Sequence, residues 1–226
     1  MSSVLAMVAE AADDFFRREC TTEIAAGEGA ELRAKFERAG LLEGAELAEA
    51  AAVASVAAQY AAPVDVAEEW LNSRDDSPEE RHRLGAALRA AQIAGALERI
   101  QQLTVEHASS RTQFGVPLRR FQAVGQQLAA MAGEVAAARA GADAAIADPV
   151  EWKVAAAKIR AGEAAGKVAD IAHQVHGAIG FTDEHPLHLF TKLVWRWRDE
   201  FGTEAEWASS LGAYVEGKDI WGLLTG

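Results

Sequence analysis

SPEERHRLGAALRAAQIAGALERI, residues 77–100, decides the fold. Ser77 is placed as an N-cap, Pro78 as the first helical residue and Glu80 three residues after the cap, so a helix starts here. Leu84, Ala87, Leu88, Ala91 and Gly95 then form one stripe at helical spacing, and Ile93, Leu97, Ile100 and Thr104 form another. Two stripes require burial on two sides, as in the interior of a helical bundle. The pattern runs from about 78 to 110 and breaks at RTQFGVPL, with its Gly115 and Pro117.

Outward from this helix the chain keeps the same period. A helix is expected from about 119 to 147, ending at Asp148-Pro149, and another from about 150 to 177, ending in Gly177 and Gly180. A shorter one follows Pro186 through Phe190 and Trp197, and a last one spans about 203 to 215 before the tail DIWGLLTG. Toward the N-terminus, Leu5, Val8, Ala12, Phe15 and Phe16 mark a first amphipathic helix. A second ends at Gly40, a good C-cap residue, and an alanine-rich third covers about 45 to 60. WLNSRDDSPEE reads as the clearest linker. The expected class is all-α: an N-terminal helical region over 1–72, a linker at 73–78 and an antiparallel four- or five-helix bundle over 79–226.

Composition agrees. Half of the 226 residues are hydrophobic, many of them alanine, and there are only 5 prolines. A net charge of −12 argues against a nucleic-acid partner, whose phosphates it would repel. The single cysteine, Cys20, leaves no internal disulfide framework and fits a reducing cytosol. No apolar run reaches the length of a membrane span, and MSSVLAMVAEAADDFF has acids where a signal peptide has a basic start, so a cytoplasmic protein is expected.

Two stretches could carry chemistry. In RTQFGVPLRRFQ, residues 111–122, the guanidinium of Arg111 matches phosphate oxygens in a fork, although an ordinary loop with a surface arginine fits the composition as well. HQVHGAIGFTDEHPLHLF, residues 173–190, holds two His-x-x-His pairs. Gly180 and Pro186 put the pairs on different elements and no cysteine helps, so no metal is expected. The glycines are read as sites of close backbone approach. Trp195 and Trp197, two of the six tryptophans, are read as packing residues.

The order of these pieces resembles the C-terminal helical domain of the acyl-CoA dehydrogenases over roughly residues 78–215. The matching residues are Arg111, Phe114, Gly115, Phe121, Gln122, Gln174, Gly177, Gly180, Phe181, Pro186, Gly202 and Thr203. FERAGLLEG, residues 36–44, resembles a piece of the family's N-terminal helices. The resemblance implies FAD as cofactor and α,β-dehydrogenation of an acyl-CoA, with a glutamate removing the α-proton and flavin N5 taking the β-hydride. It assigns cofactor contacts to Arg111, Gln113, Phe114, Gln122, Gln174, Gly177 and Thr203.

The chain departs from that pattern twice. The base usually precedes Gly-Thr, and here Phe201 stands before Gly202-Thr203, with Glu200 one residue earlier. The family's other base position falls in HRLGAAL, around Gly85, which has no acid. The β-barrel expected between the N-terminal helices and the bundle is missing, since RDDSPEE leaves no room for strands of about 8–12 residues each. Family oligomers share FAD across a subunit boundary, and this chain keeps the residues that serve the adenosine and pyrophosphate half. The resemblance therefore implies a non-catalytic subunit whose full-length acyl-CoA dehydrogenase partner carries the base and barrel, with two copies of each chain. Mixed assemblies of this kind are known in the family from actinobacterial sterol degradation, so a bulky sterol-type CoA ester is the expected substrate class. Two alternatives stay open: a self-sufficient dehydrogenase using Glu200 or Asp199, and a non-enzymatic helical scaffold or regulator.

Overall fold

The computed structural model describes residues 3–27, 29–219 and 222, so most of the tail DIWGLLTG lies outside the described residues. Five helices precede the bundle: α1 (Ser3–Glu19), α2 (Thr22–Ala26), α3 (Ala30–Ala39), α4 (Leu47–Gln59) and α5 (Val66–Asn72). The bundle is α6 (Pro78–Ser110), α7 (Gln122–Ala147), α8 (Glu151–His176), α9 (Leu187–Asp199) and α10 (Glu204–Val215). The expected all-α class holds. Among the described residues the only strands are the two-residue pair β1 (Thr112–Gln113) and β2 (Val116–Pro117), which form a small antiparallel hairpin that the helical period did not signal.

α6 is the axis. Ser77 Oγ accepts the Glu80 N–H at 3.2 Å and Pro78 occupies the first turn, as the sequence indicates. All nine residues of its two stripes are buried, because α4, α7, α8 and α9 pack around it. Gly95 lets α4 pack closely: a Cβ there would lie 2.3 Å from the Ser55 carbonyl oxygen, so a side chain would push the two helices apart. Removing these apolar side chains from water drives assembly, at about 25 cal/mol per Å² buried.

The N-terminal helices form a second cluster. Phe16 stacks on Phe36 with ring centroids 5.6 Å apart, and Phe15 meets Phe36 edge-on at 5.8 Å. The helical period gave no sign of α2 or α5. Trp70 and Leu71 were expected in a linker, but they are buried at the end of α5, where Trp70 Nε1 donates to the Ala45 carbonyl at 2.7 Å. The helix was hidden because α5 has only seven residues, too few to show a period. From Asn72 the chain passes through residues 73–77 directly into α6, with no barrel between them.

Candidate functional site

Candidate site residues gather at two places along α8. Lys158 lies near its start and Gln174 lies sixteen residues later, about 24 Å along the axis at 1.5 Å per residue.

Near Lys158, the α9–α10 loop places Phe201 at φ 54 and Gly202 at φ 96, both left-handed. Such a conformation is costly for phenylalanine, and the surroundings hold it there. The Phe201 ring covers Gly85 so closely that a Cβ on Gly85 would meet the ring at 2.4 Å. The Phe201 carbonyl accepts from Trp207 Nε1 at 2.9 Å. Lys158 Nζ, on a buried side chain, donates to the carbonyls of Arg198 at 2.5 Å and Gly202 at 2.8 Å, and so clamps both sides of the turn. Burial pushes the Lys158 ammonium down to about 8. The two positions at which the resemblance expects a base, before Gly202-Thr203 and around Gly85, are therefore in contact, and neither is an acid.

Glu200, one residue before Phe201, is engaged by two arginines. Its carboxylate meets Arg89 Nη2 at 2.5 Å and Arg196 Nε at 3.2 Å. Arg89 is buried in the middle of α6 and forks onto Asp65, with bonds of 2.8 and 2.9 Å. Its guanidinium carbon also lies 5.5 Å from the Phe201 ring centroid. Burial would raise the Asp65 carboxyl, but the Arg89 hydrogen bonds and charge outweigh it and hold it below its ordinary value. Arg89 and Lys158 were missed in the sequence, although a charge inside a two-sided apolar helix such as Leu88-Arg89-Ala90 is the signal that could have found Arg89.

At the other end of α8, a cleft of about 700 Å³ gathers Arg111, Gln113, Gln174 and Gly177, with His107 and Gln127 beside them. Gly177 has φ 66, and a Cβ there would meet nothing within 4 Å, so its role in this chain is the left-handed turn rather than the close approach expected. Close approach does apply at Gly180, where a Cβ would meet His176 Cβ at 3.0 Å. Phe114 projects from the hairpin tip, 93% exposed, at φ 50. Gln122 is the first residue of α7, next to the cleft-lining Ala123. Thr203 is not part of this group. It caps α10, accepting the Glu206 N–H at 3.3 Å and donating to its carboxylate at 2.9 Å.

Arg111 makes no side-chain hydrogen bond or ion pair among the described residues. Arg139, Arg160, Arg196 and Arg198 each hold a carboxylate. An unpaired guanidinium at a cleft with amide side chains and a glycine turn suits a diphosphate: fork donors, neutral donors and room for the anion. The two histidine pairs also converge here, with the His176 ring 4.5 Å from both His107 and His185. His176 Nδ1 donates to the Ala172 carbonyl at 2.8 Å. Among the described residues no group of three or more His, Cys, Asp or Glu is placed to hold a metal ion.

Residues 79–198 match the sequence profile of the acyl-CoA dehydrogenase C-terminal domain, and the chain belongs to this family. It is similar to the acyl-CoA dehydrogenase IpdE2 of Mycobacterium tuberculosis, 44% identical over 107 residues, which are 47% of this chain and 34% of that one. The chain thus matches about a third of that relative's length. Its fold follows a chain of the ChsE4–ChsE5 complex from Mycobacterium tuberculosis with a TM-score of 0.82 at 18% identity, covering 97% of this chain and 99% of that one. It also follows a chain of the Tcur3481–Tcur3483 steroid ACAD G363A variant, with a TM-score of 0.81 at 16% identity, covering 94% and 97%.

Proposed function

We propose that this chain is the non-catalytic subunit of a heteromeric acyl-CoA dehydrogenase, and that it lends the adenosine-side contacts to an FAD held mainly by a full-length partner. The observation that carries the reading is the contrast between the two ends of α8. Both expected base positions are acid-free and packed against each other, while the cleft around Arg111 keeps its donors unspent. Arg111, Gln113, Gln174 and Gly177 are the residues that would hold the diphosphate half, and Phe114 and Gln122, the chain neighbours of the lining residues Gln113 and Ala123, would approach the cofactor from outside the cleft. Thr203, about a helix length away, would serve a different copy of the cofactor or only cap α10. Bound FAD supplies the hydride acceptor, and the partner supplies the base that removes the α-proton.

Structural likeness to chains from two-protein complexes supports an assembly of unlike subunits, with two copies of each chain as the arrangement to test. The likeness to a chain of a steroid ACAD supports a bulky sterol-type CoA ester as substrate.

Co-expression with a full-length acyl-CoA dehydrogenase as partner tests the reading. The complex should purify yellow and the isolated chain colourless. About one FAD per isolated chain would overturn the proposal in favour of a self-sufficient enzyme, and a colourless, stable complex would favour the scaffold.

A further inference from the structure

We infer that His107 joins Arg111 as a second ligand for a diphosphate in this cleft, and that the cleft takes up a proton at His107 as the anion binds. The inference rests on the reading of this cleft as the adenosine-side cofactor site.

His107 and Arg111 lie one turn apart at the end of α6, and the Arg111 N–H donates to the His107 carbonyl at 2.9 Å. Both side chains line the cleft. Five histidines meet at this end of the molecule, and four have a ring nitrogen engaged. His176 Nδ1 donates to Ala172, and His185 Nδ1 accepts the Leu187 N–H at 3.2 Å. His173 Nε2 meets Thr191 Oγ1 at 3.2 Å, and His188 Nδ1 donates to the His185 carbonyl at 2.9 Å. His107 makes ring contacts only, so both of its nitrogens are without a hydrogen bond among the described residues. It is half-buried, with one face against His176 and its neighbour at the cleft an unpaired guanidinium.

The charges around it disfavour its protonated form. Arg111 acts on His107; His107, His185 and His173 act on His176; His107 and His188 act on His185. None of these is a carboxylate. Asp170 acts on His173, and Asp183 lies 3.6 Å from His188. Burial, then Arg111, holds His107 below its ordinary value. A diphosphate in the cleft would neutralise Arg111 and place negative charge beside the imidazole. Both changes favour the imidazolium, whose second N–H then donates to the anion. His107 in the last turn of α6 and Arg111 at its C-cap both line the cleft, which places two such donors on the same anion site.

The test titrates ADP-ribose, whose diphosphate diester stays ionised throughout, into the full chain or its complex between about pH 5 and about pH 8. The expected result is an affinity about tenfold higher at the acid end, corresponding to a rise of about one unit at His107 on binding. The His107 ring resonance should show that rise directly by NMR, adenosine should not produce it, and His107→Gln should flatten the pH dependence. Binding that needs Arg111 but has a flat pH profile, with the His107 resonance unmoved, overturns this inference and leaves the cofactor reading standing. No binding, or equal binding by Arg111→Ala, overturns both.

Discussion

Phe201 stands where the resemblance expects the catalytic acid, and its neighbours bear on whether the adjacent Glu200 could take that place. The Glu200 carboxylate is held by Arg89 and Arg196, while the Phe201 ring fills the space over Gly85, the region where the resemblance expects the family's other base. A general base must reach the proton it removes, so geometry decides before acidity does. Glu200→Gln should therefore leave dehydrogenation by the assembled complex within a few-fold of wild type, measured as kcat with flavin content matched. A loss of about 10²–10⁴ would make Glu200 the base. The sequence shows the missing acid plainly, because the motif Gly202-Thr203 fixes the register. It does not show where Glu200 points, because the partners Arg89 and Arg196 come from α6 and α9.

At the scale of elements, the end of α6, the end of α8 and the segment before α9 meet as three imidazoles. Burial pushes His176 down to about 4 and also lowers His107 and His185. A folded-state value below that of the unfolded chain means that the neutral ring is the stabilising form. The His176 contribution is full above about pH 6.5 and is lost as pH falls toward about 4, in total at most on the order of 3 kcal/mol. Unfolding midpoints measured across this window should fall more steeply with acid in wild type than in His176→Gln. Parallel curves would show that the stack carries no such linkage. This meeting was not legible from the His-x-x-His spacing. The spacing assigns the pairs to different elements, and only the packing of α8 against α9 and of both against α6 brings them together. The long helices were legible because two-sided stripes over many residues leave little choice of period. The five-residue α2, the seven-residue α5 and the hairpin were not, since each is too short for a period and is fixed by tertiary contacts and capping.

The whole molecule is a helical acyl-CoA dehydrogenase unit in which the chain runs from α5 to α6 without the barrel, and in which the two ends of α8 have different fates. One end is closed by Phe201, Arg89 and Lys158; the other is an open cleft with unspent donors. A protein that only needed the fold could pair Arg111 with one of its many acids, as it does Arg139, Arg160 and Arg198. The account therefore turns on Arg111 acting on a cofactor shared with another chain. The most direct measurement is titration of FAD into the deflavinated complex, wild type against Arg111→Ala. Loss of a charge-assisted hydrogen bond of about 1.5–3 kcal/mol should weaken FAD roughly ten- to a hundredfold while the complex stays assembled, with Arg111→Lys recovering part of it. Equal dissociation constants for wild type and Arg111→Ala would contradict the claim that this chain holds part of the flavin cofactor.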